Sequence, residues 1–263
     1  MNRGGLAGIT VVLYIFLYLP LVVVTVASVN SARFGTEWKG FTLEWYRAAF
    51  GNPQVIGALQ NTLVLGFVSA AIATVLGTLL GYGLTRHNFS GTKFISRALL
   101  FPIAVPDIVL AVSLLSFYAW LRSWTGFGNL GLGTMIVSHV TFQIPFVAMV
   151  VRARLRGLDP TIEHAAADLG ATRWQRVWHV TLPMLRPGIL AGGLLAFTLS
   201  LDDFVVSFFT SGPGATTIPI YIYSAVKRGV TGEVHALSTV LIIAAVLGTI
   251  AVGFASRRSA TKT

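Results

Sequence analysis

Six separate apolar runs, each long enough to cross a bilayer as a helix, restrict this chain more than any other feature. A helical span needs about 20 mainly apolar residues to cross about 30 Å of hydrocarbon. Such runs lie at roughly 6–29, 55–84, 98–120, 133–151, 188–210 and 236–256. With 54% apolar and 11% charged residues and a mean hydropathy of +0.75, the chain exceeds what a soluble domain carries. The expected fold class is an all-α polytopic membrane protein with six transmembrane helices. The first run is uncharged from Gly4 to Asn30, far beyond the about 7–15 apolar residues of a signal peptide, and reads as a retained helix.

A net charge of +10 would point to nucleic acid in a soluble protein, but in a membrane protein Lys and Arg mark the cytoplasmic loops. Placing both termini inside puts 13 of the 19 basic residues in the cytoplasm: Arg3, Arg86, Lys93, Arg97, Arg152, Arg154, Arg156, Arg173, Arg176, Arg186, Arg257, Arg258 and Lys262. Arg33, Lys39, Arg47, Arg122, Lys227 and Arg228 fall outside. The organisation expected is a first span with its outer loop (1–54), a five-helix core (55–256) containing a cytoplasmic loop (152–187), and a cytoplasmic tail (257–263). No cysteine occurs, which excludes disulfides, thiolate chemistry and cysteine-based metal sites.

Two connections exceed simple turns, and long loops usually carry function. The outer one, 31–54, interleaves Phe41, Leu43, Trp45, Tyr46 and Phe50 with Glu44 and Arg47, which suits a short interfacial helix anchored by its aromatics. A further outer segment, 211–235, opens on Ser211-Gly212-Pro213-Gly214 and either dips toward the membrane or caps the outer mouth. The inner connection, 152–187, predicts two short helices. Thr161–Leu169 has Asp159 or Thr161 to cap it, Glu163 in its first turn and Gly170 to end it. Thr172–Val180 sets Trp174, Val177 and Trp178 apart from Arg173 and Arg176, with Leu182-Pro183 as its stop. Taken alone, this pattern also fits an amphipathic surface helix resting on lipid head groups.

Glu163-His164-Ala165-Ala166-Ala167-Asp168-Leu169-Gly170, followed by Leu182-Pro183, resembles the EAA loop of ABC-importer permeases. The glutamate that usually precedes the two alanines is His164 here, with Glu163 one residue earlier. The resemblance implies a type I (MetI-like) permease fold. It further implies that Glu163, His164, Ala165, Ala166, Asp168, Gly170, Leu182 and Pro183 belong to a coupling helix seated in a groove of a separate ATPase. The stretches YIFLYLPLVVV, SARFGTEWKGFTLEWY, PDIVLAVSLL, SHVTFQIPFV and AFTLSLDDFVVSFFTSGP resemble the spermidine/putrescine permeases, and the likeness covers almost the whole chain. The implied partners are a second, similar permease, an ATPase dimer, an external solute-binding protein and the bacterial inner membrane. No nucleic acid is implied, and ATP and Mg reside on the ATPase rather than on this chain.

The residues independently suggest a cationic solute. Acidic residues in a span cost about 2.5–3.5 kcal/mol each on insertion scales. Asp107 lies in the third span and Asp202 and Asp203 in the fifth, with no Lys, Arg or His in either span to neutralise them. Their partners are water, backbone, another helix or the passing solute, and a polyamine would supply ammonium groups. Asp107 alternatively caps a helix restarting at Ile108, and Asp202 and Asp203 alternatively bond a neighbouring helix. Ser200 and Trp45 complete the expected solute path, Trp45 through cation–π contact if it is not merely an anchor.

No G-x-x-x-x-G-K-[ST] phosphate loop is present, so ATP hydrolysis is not expected of this chain. The alternatives are an ABC permease for an iron complex, an anion or an amino acid, and a proton-coupled secondary cation transporter. His139 and the other four histidines show no paired metal spacing and read as helix contacts or surface residues.

Overall fold

A computed structural model describes residues 3–34, 37–87, 89–126, 128–159 and 161–260. Pro160 and Lys262 lie outside the described residues. In chain order the helices are α1 (Arg3–Ala27), α2 (Glu44–Gly51), α3 (Pro53–Arg86), α4 (Thr92–Ala98), α5 (Phe101–Ala104), α6 (Asp107–Thr125), α7 (Leu132–Arg156) and α8 (Thr161–Asp168). They continue with α9 (Arg173–Arg176), a π-helical turn (Val177–Thr181), α10 (Leu182–Asp202), α11 (Val205–Thr210), α12 (Ile218–Arg228) and α13 (Gly232–Ala260). Six stretches are long and apolar enough to span: Ala7–Ala27, Pro53–Arg86, Asp107–Thr125, Leu132–Arg156, Arg173–Asp202 and Gly232–Ile250.

Two spans differ from expectation, and proline chemistry explains both. The third begins at Asp107 rather than near residue 98. Pro106 forces Val105 into an extended conformation (ψ 131°) and itself takes the capping position of α6. At the far end, Gly126 closes the helix with φ +72°.

The fifth span reaches back to Arg173, because Leu182-Pro183 does not stop the preceding helix. The chain widens there into a π turn, in which the Leu182 amide bonds the Val177 carbonyl. The i→i+5 spacing makes room for Pro183, which has no N–H and would crowd a regular turn. The expected second short helix is therefore the N-terminal end of a span. The span stops at Asp202, where Asp203 turns extended (ψ 120°), and α11 follows separately. With α7 running to Arg156, the loop proper shortens to 157–172. Asp159 accepts the Thr161 amide at 2.9 Å, which holds its carboxyl below the usual range. Gly170 leaves α8 with φ +83°.

The chain divides into two compact units. In the unit formed by 1–56 and 221–263, α1 and α2 each pack on α13. The Trp45 indole donates to the Asn30 carbonyl at 2.7 Å and lies flat on Gly232, where a Cβ would collide with the ring. Glu233 accepts from Asn52 (2.8 Å) and Tyr221 (3.0 Å).

In the unit formed by 57–220, α7 lies against α10 around Val147, Val151, Leu185 and Ala196. Small residues on α3 allow a close approach to α7. A Cβ on Gly81 would sit 2.8 Å from the Ala148 carbonyl oxygen, whereas one on Gly83 would meet nothing within 4 Å. Gly81→Leu is therefore expected to destabilise the protein by about 1–3 kcal/mol, and Gly83→Ala to be neutral or slightly stabilising. Thermal unfolding of the two purified variants, compared with the parent, checks this.

Candidate functional site

Two breaks, one ahead of α6 and one after α10, bring the three intramembrane aspartates to a single cavity of about 300 Å³. Asp107 stands at the start of α6, where a carboxylate is favoured by the positive end of the helix dipole. Because Pro106 holds the capping position, Asp107 is the first helical residue and does not occupy the cap itself. Asp202 closes α10, and Asp203 begins the break. Apolar rings and chains form the remaining wall, among them Phe142, Phe146, Leu199 and Phe204, and among the described residues no basic one lines it.

The three carboxylates are not equivalent. Asp107 and Asp202 are exposed, and neither belongs to an ion pair among the described residues. Asp203 is held by its own fold: it accepts the amides of Val206 (3.2 Å) and Ser207 (2.7 Å), and the Nε2 of His139 lies 3.3 Å from its Oδ2. Adjacent positions on one regular helix would have turned the two side chains about 100° apart. The break replaces that geometry.

His139 was expected to be only a helix contact, and sequence reasoning assigned it no part in the site. It is fully buried, with Nδ1 2.8 Å from Ser200 Oγ and Nε2 3.0 Å from Ser207 Oγ. The network continues through Ser69, which lies 3.5 Å from Ser200 and accepts from the Gln143 amide at 3.2 Å. Gln143 also donates to the Ala196 carbonyl at 3.0 Å. The signal in the sequence was His139 and Gln143, four positions apart on a mainly apolar helix, but the partners of His139 are 61 or more residues away in the chain.

Ser200, expected on the solute path, is buried inside this network and is not on the cavity wall. Trp45 is likewise not among the lining residues; its half-buried indole is engaged with Asn30.

At the loop, α8 is tied inward by Glu163. Its Oε1 forms an ion pair with Arg86 at the end of α3 (2.8 Å) and accepts from Thr181 in the π turn (3.1 Å). His164, Ala165, Asp168 and Gly170 are exposed, Ala166 is half-buried, and Leu169 is 89% exposed. Leu182 and Pro183 lie beyond the π turn in the first turn of α10. The ion pair is partly buried, so breaking it should loosen α8. Glu163→Gln and Arg86→Gln are each expected to speed hydrogen exchange of the α8 amides, and the charge-swapped Arg86→Glu/Glu163→Arg pair to restore part of the protection.

A family model described as "binding-protein-dependent transport system inner membrane component" matches residues 73–262. The spermidine/putrescine transport system permease protein PotC of Escherichia coli K12 is 41% identical over 249 residues, 95% of this chain and 91% of that protein. PotC of Haemophilus influenzae is 39% identical, covering 88% of each chain. The putrescine transport system permease protein PotI of Escherichia coli K12 is 38% identical over 87% of this chain and 82% of its own. Among solved structures, a bacterial ABC transporter that imports the acidic polysaccharide alginate aligns with a TM-score of 0.76 at 22% identity, covering 95% of this chain and 92% of that one. The inward-facing methionine transporter MetNI aligns with a TM-score of 0.62 at 24% identity, covering 77% and 93%. These structural likenesses establish the fold.

Proposed function

The chain belongs to the family of binding-protein-dependent transport system inner membrane components, and from that premise we propose that it forms the solute path of an ATP-driven polyamine importer carrying spermidine or putrescine. It is a multi-pass inner-membrane permease subunit and not itself an enzyme. The observation that carries the solute assignment is the convergence of Asp107, Asp202 and Asp203 on one cavity with no basic residue among the described residues of its lining. An ammonium group entering there offsets the carboxylates' lost hydration, and the phenylalanine faces add about 0.5–2 kcal/mol each where they meet a desolvated cation. An anionic solute would meet uncompensated like charge. Relatives of 41% and 38% identity named for spermidine/putrescine and putrescine transport support the same reading.

Both termini and loop 157–172 lie in the cytoplasm in this proposal, as the distribution of Lys and Arg favours. Residues 55–256 act as the permease core and 257–263 as a cytoplasmic tail. The exposed side of α8, with His164, Ala165, Asp168 and Gly170, meets one subunit of an ATPase dimer that binds ATP and Mg. A second permease completes the path, and an external binding protein delivers the solute. Closure of the ATPase dimer pushes α8, and the Glu163–Arg86 ion pair passes that push to α3.

Asp202→Asn or Asp107→Asn is expected to lower uptake of labelled spermidine by about 10–100-fold while the complex still assembles, as for loss of one charge-assisted contact. Unchanged uptake in both would remove the carboxylates from the path. Gly170→Leu should strain the left-handed turn and misplace α8, so that ATP hydrolysis proceeds without transport or the ATPase is released. Normal coupling in that variant would contradict docking through this loop.

A further inference from the structure

We propose that the three aspartates divide their labour: Asp107 and Asp202 take the ammonium groups, while Asp203 is a positioning residue that His139 clamps so that Asp202 faces the cavity. The inference rests on the cationic-solute reading above and assigns roles within that site.

A carboxylate has about four acceptor positions. Asp203 accepts the Val206 and Ser207 amides, has His139 Nε2 3.3 Å from its Oδ2, and is largely buried. Those two amides are first-turn donors of α11 that a helix start otherwise leaves without partners. Val206 and Ser207 are buried, so these amides have no water to turn to, and neutralising or removing the carboxylate opens the break itself. His139 holds the other side. Its two ring nitrogens reach Ser200, the third residue from the end of α10, and Ser207 in α11, so one buried ring staples both arms of the break. Asp202 sits between the stapled points, at the last helical position and exposed to the cavity. Asp107 approaches from a different element, α6, and brings the second charge without any part in the clamp. Two carboxylates on separate helices suit a solute with at least two separated cationic centres better than one with a single charge.

The test is a double-mutant cycle in the full reconstituted complex, reading initial rates of labelled spermidine uptake against concentration. Asp202→Asn is expected to raise KM by about tenfold or more with little change in maximal rate, as loss of a solute contact does. Asp203→Asn and His139→Ala should instead lower maximal rate by about tenfold, and the variant carrying both should be no worse than the poorer single, because the two side chains act as one unit. His139→Asn, which keeps one donor, should recover part of the rate. His139→Ala should also raise KM modestly by misplacing Asp202, so the KM penalties of His139→Ala and Asp202→Asn should combine to less than their product. Independent losses for His139→Ala and Asp203→Asn, or a KM effect of Asp203→Asn matching that of Asp202→Asn, would overturn the assignment.

The same cycle read as the thermal midpoint of the purified complex needs no solute. Non-additive midpoint shifts for His139 with Asp203, and additive ones for His139 with Asp202, support the clamp; the reverse pattern refutes it. If the parent complex carries no polyamine, the solute reading fails while the midpoints still judge the clamp. The chain lacks cysteine, so Asp202→Cys offers a second check: a cationic thiol reagent should modify it in the His139 background and spermidine should protect it. A thiol there that stays unreactive would overturn the proposed exposure of position 202.

Discussion

A helix broken among buried residues must satisfy the backbone groups it releases, and the break between α10 and α11 meets that requirement with the Asp203 carboxylate. Around it, His139, Ser200, Ser207, Ser69 and Gln143 form a continuous buried network linking α3, α7, α10 and α11. Each unpaired group in such a chain costs about 1–3 kcal/mol, and here Gln143 Oε1 is one acceptor without a partner. The cavity is a consequence of that arrangement. Had α10 continued as a regular helix, Asp202 and Asp203 would face directions too far apart to share one wall.

The end of the span near loop 157–172 relies on a different device. The π turn lets Pro183 sit within a continuous helical path from Arg173 to Asp202. Glu163 binds this rod, through Thr181, and α3, through Arg86, at a single carboxylate oxygen. Glu163 faces inward to Arg86 and Thr181, and the next residue, His164, is exposed.

The fold alone does not choose the solute. A transporter described as importing an acidic polysaccharide shares this architecture at 22% identity, whereas the cavity here is lined by carboxylates and rings. The sign of the cargo is therefore read from the side chains at the breaks. Ser200 is buried with its hydroxyl 2.8 Å from His139 Nδ1, within the network that holds the helices together.

Hydrophobic run length determined the six spans, because the hydrocarbon thickness acts on each segment independently of its neighbours. Gly170, Asp159 and the alanines fixed α8 for the same reason: capping and helix propensity are local. The three costly carboxylates were equally legible, since a charge within an apolar run needs no tertiary context to be noticed. Where spans end was not legible. Pro183 reads as a stop, and only the packed structure shows it absorbed by a π turn; Pro102 and Pro106 sit in an apolar run that hydropathy counts as one span. The pairing of His139 with Asp203, Ser200 and Ser207 was decided by tertiary structure alone, because a hydrogen bond between residues more than 60 positions apart depends on which helices pack side by side, a long-range property that no local pattern encodes.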